Sequence, residues 1–287
     1  MITAATTTEP PMGGGPSERN IDQRGPSAET RWCVFIFVGA IGGVLSGLFA
    51  IGGAILMVPL LVWRGGMDQR RAAATSLVAI IPTAVVSSAA YLVHADVDIA
   101  AAALISVGAI GGAVMGSRLL RRLPMTWLRL LFVGLLLLTA AHLLIAVPEP
   151  AQPVSFSAII AVGYVGLGVV TGIASGLFGI GGAIISVPLL GSIFALTDAV
   201  AKGTALLVSI PTSLAGTISN RHDSTSVDVR AGLILGATAA VTSVPAVYVA
   251  VSLPPRVSSV TFAVLLVAIA IQLSIKAARA SRIDSHV

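Results

Sequence analysis

The chain has 287 residues, of which 56% are hydrophobic and 10% are charged, and its mean hydropathy is +0.98. Soluble domains carry charges on about a quarter of their residues, so this composition excludes that class. A net charge of +5 raises the question of a nucleic-acid partner. However, the basic residues lie in short segments beside apolar runs, which is the pattern that orients membrane proteins. We therefore expect no nucleic-acid partner.

Residues 1–30 are rich in Thr, Pro, Gly and Ser and contain no apolar run, which predicts a disordered N-terminal tail without a signal peptide. Long apolar runs follow, and most can cross a bilayer core, which takes about 20 helical residues. They do not alternate apolar and polar residues as the strands of a β-barrel do. The sequence therefore predicts an all-α integral membrane protein. The runs are 32–63, 72–93, 97–117, 127–147, 156–191, 203–219, 231–253 and 257–275.

The segment Gly43–Val62 recurs 129 residues later as Gly172–Gly191, with fourteen of twenty positions identical. The match continues at the same offset, with Thr75 against Thr204. A duplicated apolar unit broken by glycine pairs is typical of secondary transporters with one central site. We expect two homologous transmembrane repeats, 31–147 and 156–276, an external linker, 148–155, and a cytoplasmic tail, 277–287.

Runs 32–63 and 156–191 are too long for one ordinary span, and two interpretations compete. Each run is either one tilted span, which gives eight crossings, or a broken re-entrant element, which gives six crossings and inverted halves. With re-entrant runs and a cytoplasmic N-terminus, fifteen basic residues lie inside and two, Lys202 and Arg256, lie outside. The best eight-span arrangement divides them nine to eight. The positive-inside preference therefore favours inverted repeats.

Glycines in this chain have two predicted roles. Three series spaced by four residues predict helix-packing faces. The pairs Gly52-Gly53 and Gly181-Gly182 fall outside these series, and each precedes a short apolar stretch and a proline. We interpret the pairs as helix breaks, which membrane proteins tolerate where backbone is buried or lines a cavity. The packing series are Gly39, Gly43, Gly47; Gly108, Gly112, Gly116; and Gly168, Gly172, Gly176.

The block S-G-L-F-x-I-G-G-A-I-x-x-V-P-L-L occurs at Ser46–Leu61 and Ser175–Leu190. The segments A-x-x-T-S-L and A-x-G-T-A-L follow at Ala72–Leu77 and Ala201–Leu206. In these motifs the chain resembles the sulfite exporter TauE/SafE family of bacterial membrane transporters, from about residue 32 to 275. The resemblance implies export, or in some members uptake, of sulfite, organosulfonates or related small anions across the bacterial inner membrane.

Such an anion needs hydrogen-bond donors and positive potential at the bilayer midplane. Half-helices that start at a break supply both through unpaired N–H groups and the helix dipole. Hydroxyl groups near the breaks add donors, although each has the alternative of bonding its own helix carbonyl. Lys202 either extends to the membrane surface or attracts the anion at an external mouth. The predicted substrate-binding residues are Ser46, Gly52, Gly53, Thr75, Ser76, Ser175, Gly181, Gly182, Thr204 and Lys202.

No Asp or Glu falls inside a predicted span, so a carboxylate proton relay is not expected. Three means of coupling remain open: sodium, protonation of the substrate, or His142, which we place deep in run 127–147. We expect no cofactor and no catalytic residue, because the chain lacks a phosphate-binding loop and metal-ligand motifs. The alternatives to a transporter are a membrane-embedded enzyme and a substrate-free anchor subunit. The oligomeric state is open, with a homodimer as one option.

Overall fold

The structure is a computed structural model, and it describes residues 28–94, 97–145, 157–221 and 227–284. Within these ranges the regular structure is all helix, without a β-strand, as the composition predicts. The expectations for the tail before residue 28 and for the linker 148–155 lie outside the described residues. The helices are α1 (Ala28–Phe49), α2 (Ala54–Trp63), α3 (Gln69–His94), α4 (Ile99–Arg122), α5 (Met125–Ile145), α6 (Ala158–Phe178), α7 (Ala183–Ser192), α8 (Asp198–Arg221), α9 (Val229–Ser252) and α10 (Pro255–Asp284).

Eight of these helices are long and apolar enough to cross a membrane. The other two, α2 and α7, have ten residues each, which at 1.5 Å per residue span about half of a bilayer core. Apolar side chains also cover the outside of the bundle, since Val93 and Ile159 are 79% and 83% exposed. This surface suits lipid rather than water, so the protein is a multi-pass membrane protein.

The helices form two successive sets of five that follow the sequence repeat. The short helix α2 begins at Ala54 and α7 at Ala183, which is the same offset of 129 residues. After the third helix of each set the offset becomes 130, because α4 begins at Ile99 and α9 at Val229. Asp98 and Asp228 cap these two helices by accepting hydrogen bonds from the backbone N–H groups of Ala101 and Ala231. The duplication therefore extends from sequence to helix boundaries.

Small residues bring two pairs of helices into backbone contact. In α1, Gly43 lies against Ala239 of α9, and in α4, Gly112 lies against Val169 of α6. A Cβ atom at either glycine would meet a carbonyl oxygen of the partner helix. Close approach through small residues is a common way to associate helices in lipid. The three glycine series that the sequence assigns to packing are thus confirmed as contact faces between α1 and α9 and between α4 and α6.

The two sets interlock and do not form separate domains. The third helix of each set, α3 or α8, packs against its counterpart and against the fourth helix of the other set. Thr75 of α3 accepts a hydrogen bond from the backbone N–H of Asp228, at 3.3 Å. Thr204 of α8 accepts the equivalent bond from Asp98, at 3.2 Å. This arrangement places α3 and α8 at the centre of the bundle.

We predict that Gly112→Ala destabilises the protein and that Gly111→Ala, one residue earlier, does not. The new Cβ at residue 112 collides with the Val169 carbonyl and forces α4 and α6 apart, whereas a Cβ at residue 111 has nothing within 4 Å. Overpacking of this kind costs about 1–3 kcal/mol. Melting temperatures of detergent-purified variants measure the difference. Equal melting temperatures would mean that the α4–α6 contact does not limit stability.

Candidate functional site at the two helix breaks

The predicted breaks at the glycine pairs are present, and the backbone conformation explains them. Between α1 and α2, Gly52 and Gly53 have φ values of 66° and 72°. Between α6 and α7, Gly181 and Gly182 have φ values of 74° and 84°. Side chains other than hydrogen are disfavoured in this left-handed region, so glycine pairs are suited to stopping one helix and starting another here.

The short helices begin with buried backbone donors that no side chain caps. Gly53 and Gly182 occupy the N-cap positions of α2 and α7, and neither start has a side-chain cap. The first N–H groups of a helix have no partner within it, and the helix dipole makes this end positive. Each break therefore presents a cluster of partial positive charge without a charged residue.

The two breaks meet at one point of the bundle. A Cβ built on Gly52 would lie 3.2 Å from Ile80 Cγ2, and one built on Gly181 would lie 3.1 Å from the same atom. Ile80 is near the middle of α3. Its repeat counterpart on α8, Ser209, donates a hydrogen bond from Oγ to the carbonyl oxygen of Gly181, at 2.8 Å. The structure therefore brings the two glycine pairs, which are 129 residues apart in sequence, around a single side chain.

Ser46 and Ser175 are fully buried, and neither hydroxyl oxygen has a hydrogen-bond partner. Ser46 follows Gly42 by one helical turn, and Gly42 lies against Gly53. Ser175 follows Thr171 by one turn, and Thr171 lies against Gly182. Because residues four apart share a helix face, both serines lie on the side of α1 or α6 that faces the start of the next short helix.

A buried hydroxyl without a hydrogen bond, as found at Ser46 and Ser175, is unusual. Serine and threonine in membrane helices commonly bond the carbonyl four residues earlier. Thr171 does so, donating to Leu167 O at 2.9 Å, but Ser46 and Ser175 do not. An unsatisfied buried hydroxyl costs about 1–3 kcal/mol. Ser46 and Ser175 are therefore buried hydroxyls beside the breaks that remain able to form a hydrogen bond.

The other predicted hydroxyl groups have partners in the scaffold. Ser76 donates from Oγ to the carbonyl oxygens of Ala73 and Gly179, both at 2.8 Å, so it ties α3 to the second break. Thr75 and Thr204 accept the backbone hydrogen bonds described above, at the starts of α9 and α4. Their predicted contact with substrate stays a prediction.

Lys202 is enclosed by protein and does not extend to the surface. Its side chain is 3% exposed, and Nζ donates to Asp198 Oδ2 at 2.6 Å and to Ser258 Oγ at 2.7 Å. Asp198 lies one turn earlier on α8, so the ion pair neutralises the lysine locally. A role for Lys202 in attracting an anion stays a prediction.

The expected depth of His142 is wrong. Helix α5 ends at Ile145, which places His142 in its last turn and only partly buried. Its Nε2 atom is 3.0 Å from Oγ of Ser192, at the end of α7. His142 therefore lies at the end of the described helix and not deep within it.

Sequence reasoning missed several buried polar side chains. Ser209 meets the second break, but its repeat counterpart is the apolar Ile80, so a search for residues shared by both halves passes over it. Ser87, Ser213, Thr217 and Asn220 are buried with side-chain atoms that lack partners. The signal that would have found the last three is their spacing along a single face of α8.

The protein has apolar spans, a duplicated set of helices and a buried polar centre at two helix breaks. These features are typical of multi-pass helical membrane transporters. The family model described as sulfite exporter TauE/SafE matches residues 6–143 and 164–286. This match covers most of the chain, and the chain belongs to the TauE/SafE sulfite exporter family. The resemblance seen in its repeated motifs is thereby confirmed.

A named relative agrees with this class. The chain is similar to the "Probable membrane transporter protein YunE" of Bacillus subtilis (strain 168), with 25% identity over 211 residues. The alignment covers 65% of this chain and 77% of the relative. No solved structure matches the chain.

We predict that Ser46→Ala and Ser175→Ala each raise the melting temperature of the ligand-free protein. Each change removes a buried hydroxyl that has no partner, which relieves up to about 1–3 kcal/mol of desolvation cost. Thr171→Val is the matched control, because it removes a bonded hydroxyl from the same helix as Ser175 and is expected to lower the melting temperature or leave it unchanged. A fall in stability of both serine variants would show that their hydroxyls have structural partners.

Proposed function

We propose that this protein is a secondary transporter that moves small sulfur-containing anions, sulfite and organosulfonates, across the bacterial inner membrane, in the direction of export. The observation that carries the proposal is the meeting of two uncapped helix starts beside the unpartnered hydroxyls of Ser46 and Ser175. Family membership and the transporter relative support the same class.

The chemistry of the breaks suits an oxyanion. Sulfite and sulfonates present several acceptor oxygens, and backbone N–H groups and hydroxyls are donors for them. The two pairs of donors approach from different halves of the chain, so an anion between them would receive bonds from both. In this proposal Ser46, Ser175 and the starts of α2 and α7 contact the anion, and Ser76 and Ser209 hold the second break in place.

We further propose that α1–α2 and α6–α7 are re-entrant pairs. Gly42 of α1 lies against Gly53, the N-cap of α2, and against Met57 of α2. Phe35 of α1 and Leu61 of α2 belong to the same apolar cluster. These contacts support a chain that turns back along α1 after the break. In the second set, Gly182 lies against Thr171, and Phe194, just beyond α7, stacks on Tyr164 of α6. The reversal is the same in both halves.

The contacts between α3 and α8 support opposite orientations of the two halves. Leu77, near the start of α3, lies against Gly216, and Tyr91, near its end, lies against Gly203. These repeat-equivalent helices therefore run antiparallel. We propose six net crossings with both termini cytoplasmic, an arrangement that the fifteen-to-two distribution of basic residues also supports.

Cysteine labelling in intact cells tests this topology. In a Cys33→Ala background, we predict that Gln152→Cys reacts with an impermeant thiol reagent from outside, whereas Asp68→Cys reacts only after the membrane is opened. The physical reason is that the basic loop of Asp68 stays on the cytoplasmic side. Protection of residue 152 together with external labelling of residue 68 would overturn the inverted arrangement.

Flux into proteoliposomes tests the function itself. A site of dipoles and hydroxyls lacks the formal charge that would offset dehydration of a divalent ion, so we predict a preference for monovalent oxyanions over sulfate. Sulfite takes up a proton near neutral pH and becomes monovalent. Its transport therefore rises as the pH falls through neutrality, and transport of a permanently monovalent sulfonate stays level. Runs with and without sodium and proton gradients identify the coupling ion.

A glycine variant at the second break tests the site, and a variant of a loop glycine is its control. Gly182→Ala strains a break with φ of 84° and is expected to abolish flux, whereas Gly66→Ala strains a loop glycine with φ of 62° away from the breaks and should retain it. Effective competition by sulfate, or the same pH dependence for sulfite and sulfonate, would contradict the partial-charge site. Absence of flux for every sulfur anion would contradict the proposed substrate class.

A further inference from the structure

One face of α8 carries polar side chains that have no partners. Ser213, Thr217 and Asn220 are spaced by four and three residues, so they share a face. Their exposed fractions are 0%, 5% and 0%. The hydroxyl oxygens of Ser213 and Thr217 and both amide atoms of Asn220 make no hydrogen bond. The line begins one turn after Ser209, which bonds Gly181 at the second break, and it ends at the last turn of α8.

Four unbonded polar atoms along one buried helix face require an explanation. Native interiors leave only a few such groups, because each has lost its hydration without gaining a bond. Scaffold hydroxyls elsewhere in this protein follow the rule, as Thr212 does by donating to Val208 O at 2.7 Å. The face of α8 therefore has the chemistry of a surface that receives polar partners from outside the chain.

The equivalent face of α3 is less polar, and its one buried polar atom without a partner is the hydroxyl oxygen of Ser87. Ala84 is the repeat counterpart of Ser213 and carries no polar group. Ser88 is the counterpart of Thr217, and its Oγ donates to Val85 O at 3.1 Å. Tyr91 is the counterpart of Asn220, and its hydroxyl donates to the carbonyl oxygen of Gly47 at 2.9 Å, which joins α3 to α1. At one end of the α3–α8 pair, the large side chain of Tyr91 is held by a hydrogen bond. At the other end, the smaller amide of Asn220 has no hydrogen bond.

A basic side chain lies near each end of α8. At the end of α8, the Arg121 guanidinium donates to the carbonyl oxygen of Ser219, the neighbour of Asn220, at 3.4 Å. At the beginning of α8, the positive charge of Lys202 is neutralised by Asp198. Arg121 therefore places a guanidinium beside the Asn220 end of α8.

We propose that Ser213, Thr217 and Asn220 line the path by which the anion travels between the helix breaks and the cytoplasmic end of the bundle, and that Tyr91 closes the opposite end. This inference rests on the proposed function. Hydroxyl and amide groups donate hydrogen bonds to an oxyanion without holding it by a formal charge. Each polar group lies one helical turn or less from the next, so the anion exchanges one set of donors for another as it moves.

Paired cysteine variants test the path independently of transport. In a Cys33→Ala background, Thr217→Cys and its repeat counterpart Ser88→Cys are treated with an anionic, membrane-impermeant methanethiosulfonate. The reagent is applied to each side of the membrane in turn, using right-side-out and inside-out vesicles. We expect Thr217→Cys to react from the cytoplasmic side and sulfite to slow the reaction, and Ser88→Cys to react from neither side. Equal reaction of the two variants, or no reaction of Thr217→Cys, would overturn the path.

The role of Asn220 is tested by flux and stability together. Asn220→Leu removes both unpartnered amide atoms at similar volume, so it should maintain or raise the melting temperature while lowering sulfite flux about tenfold or more, the effect of losing one strong hydrogen bond. Asn220→Gln, which keeps the amide, should restore part of the flux. Normal flux in Asn220→Leu, or a fall in its stability, would contradict the proposed role.

These measurements separate the two proposals. If Thr217→Cys reacts as expected but wild-type protein moves no sulfur anion, the substrate assignment fails, and the polar path stands as a route for another anion. In that case protection of Thr217→Cys by candidate anions identifies the substrate. If sulfite is transported but Thr217→Cys is unreactive, the proposed function stands and the path is overturned.

Discussion

The structure depends on the need to satisfy backbone groups at a helix break away from water. In lipid, irregular backbone is tolerated only when it is buried in protein or lines a cavity. Here the carbonyl oxygens of the second break are bonded by side chains of the central helices: Ser76 of α3 reaches Gly179, and Ser209 of α8 reaches Gly181. The N–H groups at the start of α7 have no such side-chain partner. At the second break the scaffold therefore satisfies acceptors and leaves donors available, which is the polarity that an anion requires.

The repeat supplies similar backbones, but the side chains at equivalent positions differ in chemistry. Ile80 and Ser209 lie at the same point of α3 and α8, yet only Ser209 bonds a break. Ala73 corresponds to Lys202, and Tyr91 to Asn220. A strictly symmetric pair of halves would give inward-facing and outward-facing states of equal energy. In the proposed inverted arrangement, differences at the ends of α3 and α8 would change this balance, because each end opens in only one of the two states.

Much of the fold follows from the sequence, because composition and periodicity act locally. Long apolar runs predict the spans, and the glycine pairs predict the breaks, since few other residues adopt the left-handed conformation found there. The partners of Thr75 and Thr204 were beyond such reasoning, because they lie 153 and 106 residues away. The burial of Lys202 could have been predicted from Asp198, which lies one turn earlier and pairs with it. The position of His142 depended on where α5 ends, which the apolar run does not fix.

A site built from neutral donors has a consequence for turnover. A buried arginine or lysine would bind the anion tightly and would carry its own desolvation cost when the site empties. Helix starts and hydroxyls bind less strongly, and Ser46 and Ser175 are already desolvated without a partner. In the proposed function, the protein tolerates the empty site at a modest cost in stability and recovers that cost when the anion binds. Binding that is favourable but shallow allows release at the far end, as carriers require, and selectivity then depends on the dehydration energy of the anion.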